Sequence, residues 1–278
     1  MKRIITIQDI SCVGKCSATV ALPIISVAGV ETSVLPTAVL STHTGFPKFT
    51  FHDLTDEISP IADTFEELEI GFDAIYTGYL GSFRQLDLVA DFIDRFGKGA
   101  KVVIDPVMAD NGVLYKGFTE EFALAMAKLC GKADLIIPNL TEASFMLGIP
   151  YITEYDEEYI RNILLKLAAL GAKEVALTGV SLEAGKIGVY SYSTITGRFS
   201  YYASTHLPMV YHGTGDVYAS SAVGALMRGY STEDALAIAV DFTLRSMEKT
   251  MADPNPRFYG VNFEEAIPYY IELLEKGR

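Results

Sequence analysis

Basic residues are scarce in this chain: 22 Lys and Arg stand against 35 Asp and Glu over 278 residues, a formal charge of −13. That balance argues against a nucleic-acid partner, which needs a basic face to displace counterions from the phosphate backbone. It leaves room for a small anionic ligand, because backbone N–H groups at a helix N-terminus hold a phosphate whatever the net charge. Long apolar runs are missing too. No stretch approaches the roughly 18 uninterrupted apolar residues of a membrane helix, and the near-apolar run after Lys2 and Arg3 stops at Gln8 and Asp9, too short for a signal peptide. Cysteine is limited to Cys12, Cys16 and Cys130, an odd number in a chain large enough to need no staples, so reduced thiols in a cytoplasmic protein are expected. Cys12 and Cys16 have no His/Cys pair following at zinc-site spacing and read as ordinary thiols. Walker-type Gly-Lys-Ser/Thr, Gly-x-Gly-x-x-Gly after the first strand and Gly-x-Ser-x-Gly are all absent. So are a Ser/Gly-rich linker and an internal repeat, which makes one domain spanning residues 1–278 the expected organisation.

What the chain does contain is an alternation of short β-branched runs with longer segments of helical period. Strands are expected at 3–8, 32–35, 74–78, 101–105, 135–138 and 174–178. Helices are expected at 18–28, around Leu86, Val89, Ile93 and Phe96, at 141–147, and around Ile160, Ile163, Leu164, Leu167 and Leu170. Such an order implies an α/β fold with a mostly parallel central sheet and helices on both faces. Residues 186–205 break the rhythm with two aromatic, β-branched runs around Thr196-Gly197, an antiparallel hairpin at the sheet edge. Only helices are expected after it, at 216–228, 232–249 and 263–276.

Ligands of open parallel sheets bind beyond the carboxyl ends of the strands. Five polar segments fall there: 9–14, 41–45, 77–81, 105–110 and 138–142. A sixth, His212-Gly213-Thr214-Gly215-Asp216, precedes a helix. Two glycines let backbone N–H groups converge on one spot, and the helix start adds partial positive charge, so this turn suits an anion. Asp216 beside it could take the proton of a hydroxyl attacking phosphorus, or could simply favour a helix start. Asp105 before Pro106 reads first as a strand terminator and otherwise, with Asp110, as a Mg²⁺ holder acting through water. Asn139 and Glu142 have the spacing of a helix capping box.

Gly213-Thr214-Gly215-Asp216 resembles the anion-hole and base signature of the ribokinase-like superfamily of small-molecule kinases. Together with Ser41-Thr42-His43-Thr44-Gly45, Thr77-Gly78-Tyr79, Asp105-Pro106-Val107-Met108 and Pro138-Asn139-Leu140-Thr141-Glu142, it is similar to the pyridoxal (pyridoxine, pyridoxamine) kinases. The resemblance implies a ribokinase-like fold and ATP-dependent phosphorylation of the 5′-hydroxymethyl group of a B6 vitamer, with Asp216 as base and Gly213, Thr214 and Gly215 at the transferred phosphoryl group. It further implies ATP contacts from Asp105, Asn139, Glu142, Thr178, Met209, Val210 and His212, with Mg²⁺ handled by Asp105 and Glu142. Ring contacts would come from Asp9, Ser11, His43, Thr44 and Tyr79. ATP, Mg²⁺ and a monovalent cation, K⁺, are the implied cofactors, and a homodimer is the implied assembly, with neither nucleic acid nor membrane as partner. One departure stands out: the Ser-His pair usual after the first strand is replaced by Asp9-Ile10-Ser11. A hydroxymethylpyrimidine or sugar kinase on the same fold is the alternative enzyme, and a ligand-binding regulator without turnover is the non-enzymatic one.

Overall fold

The computed structural model describes residues 1–276. Its strands are β1 (Arg3–Val13), β2 (Glu31–Thr42), β3 (Phe51–Asp53), β4 (Ala74–Thr77), β5 (Lys101–Ile104), β6 (Ala109–Asp110), β7 (Val113–Leu114), β8 (Leu135–Ile136), β9 (Glu174–Val180), β10 (Lys186–Ser193) and β11 (Arg198–Thr205). Its helices are α1 (Ala18–Val27), α2 (Ile58–Glu67), α3 (Phe83–Phe96), α4 (Glu120–Cys130), α5 (Leu140–Leu147), α6 (Glu157–Ala168), α7 (Thr214–Arg228), α8 (Thr232–Ala252) and α9 (Phe263–Lys276).

Nine strands form one sheet in the order β11-β10-β9-β8-β5-β4-β1-β2-β3. The six from β9 to β2 pair in parallel. The expected hairpin β10–β11 closes one edge antiparallel, and β3 adds a short antiparallel strand at the other. Side-chain alternation along each strand divides the core between the two faces. Ile5 and Ile7 of β1, Val102 and Ile104 of β5 and Val175 and Leu177 of β9 pack under α2 to α6. Ile4, Val103, Ala176 and the small Ala74 face α1 and α7 to α9. Buried branched side chains of this kind contribute about 1.5–3 kcal/mol each.

The strands nearest the site are longer than their sequence runs suggest. β1 continues through Val13 and β2 through Thr42, because their parallel ladder runs from Arg3↔Glu31 to Val13↔Thr42 across one register shift between Gln8 and Ile10. Asp9 and Ser11 therefore lie within a strand rather than in a following loop. β9 likewise continues past Thr178 to Val180, held by its pairing with β10. The strand β3, the helices α2 and α4 and the small β6–β7 hairpin are additions to the sequence reading. Short polar-flanked segments such as 109–114 carry no periodic signal, and only their neighbours make them regular.

Chain order reverses at β1, which has β2 on one side and β4 on the other. That is the switch point at which a doubly wound sheet opens a crevice beyond its strand ends.

Candidate active site

β1 carries Asp9 and Ser11, Tyr79 follows β4, and the segment 14–17 leads from β1 into α1. Ser17, the residue before α1, has φ +51, and its backbone N–H is given to the Asp216 carboxylate. Asp216 is in the first turn of α7 because the helix starts at Thr214, with Gly213 before it at φ +77. A Cβ on Gly213 would lie 1.8 Å from the Lys15 carbonyl oxygen, so only glycine lets the turn close onto the β1–α1 segment. The Thr214 hydroxyl donates back to the Tyr211 carbonyl at 3.3 Å. The first N–H groups of the helix have no intrahelical acceptor, an arrangement suited to an anion.

Asp105, just after β5, is buried, and Glu142 lies in the first turn of α5. The capping box read from the sequence is present: Asn139 Oδ1 accepts the Glu142 N–H and Glu142 Oε2 accepts the Asn139 N–H, both at 2.9 Å. Glu142 Oε1 also accepts the Met108 N–H at 3.1 Å, and Asn139 Nδ2 donates to the Ala109 carbonyl at 2.8 Å. Asn139 and Glu142 thus tie α5 to the segment after Asp105. Asn139 is bridged to Thr178, whose N–H donates to the Pro138 carbonyl at 2.9 Å.

Glu142 and Asp216, far from Asp105 in sequence, both act on it. Burial raises the Asp105 carboxyl well above its ordinary pKa, and the charges of Glu142 and Asp216 add to it. Burial pushes Glu142 up to about 8 against the pull of its backbone donors. Asp216 keeps partial contact with solvent, but the protein packed around it raises its pKa to about 7, with the charge of Asp9 adding. Among the described residues no Lys or Arg lowers any of the three. A set of hard oxygen donors with no protein cation facing it suits Mg²⁺, which keeps waters and takes only one or two carboxylates plus phosphate oxygens. Both Glu142 oxygens already accept backbone N–H groups, which favours contact with such an ion through water.

A stability prediction follows from the signs. All three carboxyls have folded pKa values above their unfolded ones, so their contribution is full below about pH 4 and is lost as pH rises through about 7 to 8. The metal-free protein is expected to melt lower at pH 8 than at pH 5.5. Added Mg²⁺ should raise the melting temperature more at pH 8 than at pH 5.5, because a ligand of the native state stabilises it. A Mg²⁺ effect equal at both pH values in thermal melts would contradict this account of the cluster.

The remaining residues singled out in the sequence are placed as follows. Ser11 is buried and its hydroxyl donates to Asp9 Oδ2 at 3.2 Å. Tyr79 packs its ring on Phe118, with centroids 5.5 Å apart. His43 is wedged beside His212, with ring centroids 5.2 Å apart. Its Nδ1 accepts the Gly45 N–H at 3.0 Å, so the proton sits on Nε2, which donates to the Tyr259 carbonyl at 3.1 Å. Burial holds this imidazole's pKa below its ordinary value, and His212 adds to the effect. Both ring nitrogens are thus used internally, and His43 braces the loop after β2 against the segment before Gly213. Thr44, Met209, Val210 and His212 are exposed.

Sequence reasoning passed over Tyr115 and read Cys16 only as an ordinary thiol. The Tyr115 phenol is raised by burial and then by Glu142, Asp110, Asp105 and Asp216, which puts it at the mouth of the acid cluster. A lone tyrosine after a short polar loop carries no signal of this. The Cys16 thiol is raised by burial, Asp216 and Asp9, so it stays protonated, as an ordinary thiol would. A cavity of about 660 Å³ at the amino-terminal ends of β5 and β9 holds none of these residues, and its lysines are all paired: Lys101 with Glu174, Lys132 with Asp94, and Lys173 with Asp134.

The phosphomethylpyrimidine kinase family model matches residues 33–256. The chain belongs to this family, with the pyridoxal kinases of the ribokinase-like fold. It is 40% identical to a Bacteroides thetaiotaomicron protein assigned to the phosphomethylpyrimidine kinases and solved with pyridoxal, at a TM-score of 0.92 over 97% of this chain and 96% of that one. Pyridoxal kinase from Lactobacillus plantarum is 30% identical, at a TM-score of 0.90 over 99% and 98%. Pyridoxal kinase of Pasteurella multocida is 28% identical over 84% of each chain. Within the family-matched span lie Asp105, Asn139, Glu142 and the Gly213–Asp216 turn.

Proposed function

We propose that residues 1–278 act as one domain that transfers the γ-phosphoryl group of ATP to the 5′-hydroxymethyl group of a B6 vitamer, serving pyridoxal phosphate salvage. The observation that carries this reading is Asp216, an acid with a pKa near 7 in the first turn of α7, directly behind an anion-binding turn. A base poised near the working pH is what proton removal from an alcohol needs.

In this reading Asp216 accepts the hydroxyl proton as the substrate oxygen attacks phosphorus. The backbone N–H groups of Gly213, Thr214 and Gly215 stabilise the charge that builds on the transferred group. Bound Mg²⁺ supplies the positive charge that a chain of net charge −13 lacks. Asp105 and Glu142 would hold it largely through water, with K⁺ as an accompanying monovalent cation. Asn139, Thr178, Met209, Val210 and His212 line the nucleotide side, and Asp9, Ser11, His43, Thr44 and Tyr79 the acceptor side.

The proposal includes a cytoplasmic homodimer. Among the described residues β3 ends the sheet, and Phe49 and Phe51 stand exposed on and beside it, a strand edge that a second copy would cover. Sedimentation at twice 30.3 kDa is the expected result.

The decisive experiment is a panel of pyridoxal, pyridoxine, pyridoxamine, hydroxymethylpyrimidine and ribose with ATP and Mg²⁺. Turnover of at least one vitamer above the other two classes is expected. Turnover confined to the pyrimidine or the sugar would overturn the substrate class, and ligand-raised melting without any turnover would point to a binding regulator.

A further inference from the structure

The acceptor side carries a charge pattern that phosphoryl transfer does not itself require. Asp9 stands at the register shift of the β1–β2 pairing, between Gln8↔Pro36 and Ile10↔Val39, and irregularities of this kind next to sites re-aim a side chain. Its carboxylate is 5% exposed and takes hydrogen bonds from the side chains of Ser11 and Ser17. Its charge reaches both Tyr79, just after β4, and Asp216 at the start of α7, the proposed ring wall and the proposed base. Asp53 places a second negative charge on Tyr79. Among the described residues, the groups acting on Asp9, Tyr79 and Asp216 include no Lys or Arg.

An enclosed carboxylate without a cationic partner is costly, and a ligand that brings the missing cation recovers that cost. The three B6 vitamers differ at ring position 4. An aminomethyl group there is an ammonium ion at neutral pH and donates charge-assisted hydrogen bonds, whereas a formyl or hydroxymethyl group is neutral. A neutral serine at position 9 would not discriminate by charge.

We propose that Asp9 is a specificity-determining residue that selects the vitamer with the cationic aminomethyl group, pyridoxamine, over the aldehyde, pyridoxal. This rests on the B6 kinase reading above. The test compares kcat/KM for pyridoxamine and pyridoxal, with ATP and Mg²⁺, in the wild-type protein and in Asp9→Asn and Asp9→Ser. Wild type should favour pyridoxamine by about tenfold or more, and both variants should lower the pyridoxamine-to-pyridoxal ratio by about tenfold, the order expected for loss of one charge-assisted contact. Because the readout is a ratio within one protein sample, partial misfolding of a variant does not imitate it, and Asp9→Ser keeps a small hydrogen-bonding side chain at the position. A wild type that prefers pyridoxal, or variants that leave the ratio unchanged, would overturn the role of Asp9 while leaving the kinase reading intact. Failure of the wild type to phosphorylate any vitamer would overturn both.

Discussion

Asp216→Asn is expected to cut turnover by several orders of magnitude, with about 10²–10⁴ of that loss attributable to the missing general base. The amide has nearly the same shape and can still accept the Ser17 N–H, so the helix start and the Gly213 turn should survive, and ATP should still bind. The pH profile separates a base from a merely structural acid. Asp216 has a pKa near 7 in the free protein, and the ionised form accepts the proton, so wild-type kcat/KM should rise as pH increases through about 7. The variant should lose that limb along with its rate. The limb belongs to a set of interacting acids, so its midpoint reports the cluster of Asp216, Asp105 and Glu142 rather than one carboxyl alone. Steady-state kinetics from pH 5.5 to 8.5, with nucleotide binding measured by calorimetry, would check both parts. A variant with wild-type kcat would remove Asp216 from the chemistry.

Gly213→Ala should be nearly as damaging, by a different route. The residue sits at φ +77, a region that costs an L side chain about 1–2 kcal/mol, and the added Cβ would fall 1.8 Å from the Lys15 carbonyl oxygen. A backbone oxygen cannot swing aside as a side chain would, so the turn itself must move. Displacing one oxyanion-type donor costs about 10²–10³ in kcat. The melting temperature should fall as well, by about 2–4 °C for each kcal/mol in a chain of this size class. Gly215→Ala supplies the contrast. Nothing lies within 4 Å of a Cβ there, so the fold should tolerate it, and any loss of activity would report crowding of the anion rather than collapse of the turn. Equal melting temperatures for wild type and Gly213→Ala would show that the Lys15 contact is softer than its geometry indicates.

Several parts of this site were legible before any coordinates. The capping box of Asn139 and Glu142 is a local pattern of two residues three apart, and it forms as its spacing predicts. The hairpin around Thr196-Gly197 and the helix opened by Gly213 are also local, set by turn chemistry within a few residues. Other parts were out of reach. The true ends of β1, β2 and β9 depend on the neighbouring strand, since a ladder continues as long as its partner offers hydrogen bonds. Tyr115 joins the acid cluster only because the β6–β7 hairpin folds back, with the Tyr115 N–H bonded to the Met108 carbonyl.

The sequence by itself determined the α/β alternation, the acidic balance and the chemical types available at each strand end, because periodicity, charge and turn residues act over a few positions. Only the tertiary structure decided that Asp105 is buried where the charges of Glu142 and Asp216 raise its pKa, and that Asp9 is enclosed with the Ser11 and Ser17 side chains hydrogen-bonded to it. Electrostatic energy depends on distance and on the exclusion of water, and neither is encoded locally. Both arise when the switch point at β1 brings the strand ends, the β1–α1 segment and the start of α7 together.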